Sequence, residues 1–204
     1  MGRRAQRTSA LIVDKAREVF LQKGYFGTTI DDIVEAAGIS RSSFYTYFPT
    51  KRDVLLTIGT EAYVGMNEMI DKMMLVAEEG PPDAVERIVR MYIELLDDHG
   101  AFLQVWGQAG FGDEELRRTG MRSKLATARR FAGVLKQLGW DPGDDDPGLV
   151  SFAFAIMMDR FWFYEKVAGL PATEAEMVAT LTSIISAKIG RDRSLPRRAR
   201  KELS

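Results

Sequence analysis

Apolar residues recur along the chain three, four and seven apart, the spacing that gathers one face of a helix. No segment alternates apolar and polar between tight turns as a half-buried strand does. The pattern predicts an all-α protein. Ile12, Ala16, Val19 and Phe20 mark a first helix over about residues 8–23, ended by Gly24 as a left-handed residue, with Tyr25 and Phe26 folding back as core. Thr29, followed three residues later by Asp32, forms a variant capping box for a short helix built on Ile30, Ile33, Val34 and Ala37 and stopped by Gly38. Ser40 caps a second short helix, Arg41 to Phe48, which cannot hold unless packed on its neighbours. Thr50, with Asp53 three residues on, opens a helix reaching about Glu79, where Gly80, Pro81 and Pro82 end it; at about 1.5 Å per residue it is roughly 40 Å long. Further helices are expected at about 83–98, 101–109, 113–139, 147–168 and 172–189, separated by Gly100, by Gly110 to Gly112, by the loop Asp141 to Gly148 and by Gly169 to Pro171.

The two short helices, joined through Ala37-Gly38-Ile39-Ser40, have the form of a helix-turn-helix: glycine permits the turn, Ile39 plugs the junction and Ser40 restarts the helix. Phe44 and Phe48, four apart, face inward and leave Arg41, Ser42, Ser43, Tyr45 and Thr46 more open on a helix sized for a major groove. Arg41 suits guanine, and the hydroxyls suit bases or phosphates. Thr29, Ser40 and Thr50 have an ordinary role as caps as well. The two roles are compatible, because a helix N-terminus presents unpaired N–H groups to an anion.

Gly24-Tyr-Phe-Gly-Thr-Thr-Ile-Asp-Asp-Ile-Val-Glu-Ala-Ala-Gly-Ile-Ser40, followed by Phe44-Tyr-Thr-Tyr-Phe48 and Lys51, resembles the N-terminal signature of the tetracycline-repressor (TetR) family. The resemblance implies that the Thr29 region, Tyr45, Tyr47 and Lys51 lie against DNA phosphates. Tyr47 stands where histidine is frequent, and its hydroxyl can still donate to a phosphate. The resemblance also implies repression as the default sign of regulation.

Beyond residue 60 no motif stands out, and pattern carries the reading. Met66, Met69, Met73, Tyr92, Phe102, Trp106, Met121, Phe154, Met157 and Phe161 form a soft, aromatic set of inward positions that suits a bulky, largely apolar effector as well as an ordinary core. His99, Gln104 and Gln108 are polar candidates for orienting it. The segment 147–168 is apolar nearly all round and 172–189 carries an apolar stripe, so both are expected to pair with their twofold mates in a homodimer. The resemblance implies the same arrangement, with half-sites about 34–36 Å apart on a near-palindromic double-stranded operator. Three domains are expected: a helix-turn-helix reader with a basic arm (1–50), a helical effector-binding and dimerisation body (51–190) and a basic, solvated, disordered tail (191–204).

Charge supports this division. The net charge of −1 resolves into +3 over residues 1–60, −8 over 61–190 and +4 over 191–204, so a basic head and tail flank an acidic body. With 46% apolar and 28% charged residues the chain can bury a core unaided. It has no cysteine and one histidine, His99, so no metal or other cofactor is expected. Its longest apolar run, Phe152 to Met158, is too short for a membrane span, and MGRRAQRTS lacks the apolar stretch of a signal peptide, so a cytoplasmic address is expected. No phosphate loop or nucleophile turn is present, and the glycines at 107, 110 and 112 have the wrong spacing for a dinucleotide fold; catalysis is not expected. The remaining rival is an interaction module in which the helix-turn-helix serves only as a packing element.

Overall fold

A computed structural model describes residues 2–80 and 82–191, and among these it is all-α, with no strand. Eight helices follow in order: α1 (Arg3–Gly27), α2 (Ile30–Ala37), α3 (Arg41–Tyr47), α4 (Lys51–Glu79), α5 (Ala84–Gly112), α6 (Glu114–Gln137), α7 (Pro147–Lys166) and α8 (Glu174–Arg191). The basic tail expected at the C-terminus lies outside the described residues beyond Arg191.

Two boundaries differ from the sequence expectation. α1 begins at Arg3 rather than near residue 8, so the basic arm is its first turns; Arg, Ala and Gln are good helix formers and need no apolar face to continue a helix already nucleated. The helices expected at 83–98 and 101–109 are one helix, α5, running through Gly100 to Gly112. A glycine inside a helix costs only about 1 kcal/mol. Here Gly100 is itself buried in line with Val89, Ile93 and Leu96, so packing outweighs its propensity. The glycine at 24 behaves as a true breaker: at φ +70° and ψ 168° it kinks the end of α1.

The chain divides into two compact units, Met1–Gly65 with His99–Ser123, and Met66–Asp98 with the chain from Lys124 onward. In the first, Ile12, Ala16 and Phe20 of α1, Ile33 of α2 and Phe44 of α3 share one core with Val54, Leu55 and Ile58 of α4, Phe102, Val105 and Ala109 of α5, and Leu116 of α6. The core beneath the helix-turn-helix therefore extends well past residue 50, where the first domain was expected to end. In the second unit Met73, Ile88, Val89, Ile93, Phe131, Leu135, Met158, Trp162, Leu181 and Ile185 are buried, and Trp162 Nε1 donates to Asp97 at 2.7 Å.

Candidate nucleic-acid interface

The helix-turn-helix is built from paired caps. Thr29 Oγ1 accepts from the Asp32 amide at 3.1 Å while the Asp32 carboxylate accepts from the Thr29 amide at 2.7 Å, a reciprocal capping box. Lys23 donates to the same carboxylate at 2.5 Å; these bonds, led by that of Lys23, hold the Asp32 carboxyl far below the usual carboxylate range. Gly38, at φ +64° and ψ 34°, takes the left-handed conformation that ends α2 and returns its N–H to the carbonyls of Val34 and Glu35. Ile39 packs against the core as the turn's plug. Ser40 then accepts from the Ser43 amide at 3.1 Å and starts α3. Phe44, fully buried, and Phe48 fix the inner face of α3 at a ring separation of 6.1 Å.

With that face fixed, Arg41, Ser42, Tyr45 and Thr46 are exposed, and Ser43 is half-buried. Arg41 Nη1 donates to both oxygens of Asp31 at 2.9 Å, and Nη2 lies 3.4 Å from the Tyr45 hydroxyl, so the guanidinium is held along the outer side of α2 and α3. Thr46 returns its hydroxyl to the Ser42 carbonyl at 3.0 Å, and the Ser40 and Ser42 hydroxyls are 2.9 Å apart. Tyr47 is half-buried against the core.

Lys51 has a further occupation that sequence reasoning missed. Its ammonium donates to the carbonyls of Tyr25 at 2.8 Å and Thr28 at 2.6 Å and sits 4.6 Å from the Tyr25 ring centre. It thus closes the end of α1 and packs on an aromatic face, and partial burial lowers its pKa. One of its three protons is left over from these two bonds. Next to it, Arg52 donates to Asp113 and to Glu115, each at 2.6 Å, while Asp113 accepts from the amides of Glu115 and Leu116 and so caps α6. The bond from Arg52, ahead of the amide bonds, holds the Asp113 carboxyl below its ordinary range. This clamp joins residues 61 apart and no local signal announces it.

The expected effector positions fall into both units. Phe102 and Trp106 belong to the core of the first, with ring centres 6.2 Å apart, and Met121 is exposed. In the second, Met73 and Phe154 are buried, while Met66, Met69, Tyr92, Met157 and Phe161 are half-buried. Tyr92 stacks at a tilt on Phe131, 6.1 Å away. No helix among the described residues is long and apolar enough to cross a membrane.

A capped helix pair with its inner face locked on a core and a row of arginine, serine, tyrosine and threonine outward has the form of a helix-turn-helix. The sequence profile of the bacterial regulatory proteins of the tetR family matches residues 12–58, which span this head. Residues 12–58 thus carry the N-terminal helix-turn-helix segment of TetR-family regulators. It is 26% identical over 193 residues to the HTH-type transcriptional regulator EthR of Mycolicibacterium smegmatis, covering 90% of this chain and 88% of that one. It is 32% identical over 109 residues to IcaR, the negative regulator of the biofilm operon icaADBC in Staphylococcus aureus, covering 48% of this chain and 59% of IcaR. The fold is shared with the regulatory protein TetR from Rhodobacter sphaeroides, at a TM-score of 0.69 and 21% identity, over 88% of this chain and 97% of that one.

Proposed function

We propose that the protein is a homodimeric repressor that leaves a palindromic operator when a bulky, largely apolar small molecule binds its body. Residues 1–50 read DNA, and residues 51–190 sense the ligand and dimerise. The observation that carries this reading is the locked α3: Ser40 starts it, Phe44 anchors it, and Arg41, Ser42, Tyr45 and Thr46 are left exposed. Arg41 reads base edges, while Thr29, Ser40, Ser43, Tyr47 and the remaining Lys51 proton serve phosphates and register.

Exposed apolar residues support the dimer. Leu149, Ala153, Ile156 and Tyr164 recur at helical spacing along the outer side of α7, Val167 is exposed at its C-cap, and Ile184 is exposed on α8. A stripe of this kind on a monomer calls for a partner, and a second copy of the same two helices satisfies it by twofold symmetry. α4 carries Lys51 at its first residue and Met66, Met69 and Met73 further along, so one helix reaches from the reader's residues to candidate sensing residues. The sign of regulation follows that of IcaR, and the protein acts in the cytoplasm.

Operator selection tests the reading: the full chain is incubated with random-sequence duplexes, and those retained at moderate salt are sequenced. An inverted repeat is expected, with base preference relaxed by Arg41→Ala. Salt-sensitive retention without enrichment of any sequence would return the helix-turn-helix to a packing role.

A further inference from the structure

One face in the second unit combines apolar rings with polar atoms that lack partners. Asp159 of α7 has its Oδ1 shielded from solvent with no hydrogen bond. On α6, Thr127 is 8% exposed and its hydroxyl is also without a partner. Thr127 lies three residues after Lys124 and four before Phe131, so the three share a face of α6. Phe131 touches the Tyr92 ring, and Asp159 interacts electrostatically with both Tyr92 and Lys124. The Asp159 carboxylate of α7 is thus within electrostatic range of Tyr92 on α5 and Lys124 on α6.

Among the described residues no donor hydrogen-bonds its inner oxygen. Lys124 is exposed, the Arg160 guanidinium lies 5.4 Å from the Phe163 ring centre, and neither donates to Oδ1. Burial accordingly pushes the Asp159 carboxyl above its ordinary range, with those two cations opposing the rise, and raises the Tyr92 phenol as well. A shielded carboxylate oxygen without a donor is costly, and such a group calls for an explanation.

We propose that Asp159, with Thr127 and the rings of Tyr92 and Phe131, is the polar end of the effector site and receives a protonated amine borne on an apolar body. This rests on the reading of the body as effector-binding and names the ligand's class. An ammonium supplies N–H donors to both orphaned oxygens, neutralises the carboxylate and can lie against the ring faces. A hydroxyl would satisfy an oxygen but leave the charge, and an anion would meet like charge.

The probes are 4-phenylbutylamine, 4-phenylbutan-1-ol and 4-phenylbutyrate, which share one apolar body, titrated calorimetrically into the full chain without DNA at neutral pH. The amine is expected to bind about tenfold or more tighter than the alcohol, and the acid no tighter than the alcohol. Asp159→Asn should bring the amine-to-alcohol ratio to within about threefold, and Thr127→Val should lower the ratio by a smaller factor. A ratio near one in the unchanged protein, no binding of the amine, or a ratio that survives both substitutions overturns the proposal. Because DNA is absent, failure here is distinct from failure of operator selection, which bears on the reader alone.

Discussion

The helix-turn-helix and the face around Asp159 treat polar side chains in opposite ways. In the reader each hydroxyl that starts a helix is paired: Thr29 with Asp32, Ser40 with Ser43, and Thr50 with Asp53, whose carboxylate accepts from Thr50 Oγ1 at 2.6 Å. In the body, Thr127, Ser151, Thr182 and the indole N–H of Trp140 have buried polar atoms without partners, as does Asp159. A reader must present one fixed surface to a rigid duplex, so its polar groups are spent on rigidity. A body that senses a ligand, as proposed here, would gain from groups that the ligand completes, at some cost in stability without it.

Three substitutions sharpen that contrast, the largest effect first. Lys51→Ala removes the donor to the Tyr25 and Thr28 carbonyls, and since either carbonyl left dry costs roughly 1–3 kcal/mol, the melting temperature should fall by several degrees. Operator binding should weaken across all sequences alike; a loss of DNA affinity with unchanged melting would make Lys51 a phosphate contact alone. Thr29→Ala removes half of the capping box and should cost about 1 kcal/mol in a denaturant titration. No change would mean that water replaces the cap and that the reader's rigidity does not depend on it.

The third substitution should stabilise. The folded protein raises the Asp159 carboxyl, so the native state binds the proton more tightly than the unfolded chain. The destabilisation is then fully present above the raised folded value, and it is relieved as pH falls from there toward the unfolded value. Asp159→Asn without ligand should raise the melting temperature by roughly 1–3 °C at neutral pH, with the gain shrinking in acid. A gain independent of pH, or a loss, would break the contrast with the reader.

The reader was legible in the sequence because its signals are local. Thr29 and Asp32, Gly38 and Ser40 each act within a few residues, and their roles follow from helix-end chemistry. The body was less so. Gly100 reads as a break until its burial in line with Val89, Ile93 and Leu96 on a continuous α5 is known. Arg52 reads as a surface charge until Asp113 arrives beside it. Asp159 cannot be told from the solvated acids around it, because a shielded carboxylate and an exposed one are spelled alike.

Trp106 packs where α4 and α6 carry no side chain: a Cβ on Gly59 would come within 2.2 Å of its ring, and one on Gly120 within 2.3 Å. Positions 59, 106 and 120 therefore form a correlated triplet. Across descendants of this sequence, alanine at 59 or 120 should become tolerable only alongside a smaller residue at 106, and back-mutating 106 to tryptophan in such a background should be the least forgiven exchange of the three.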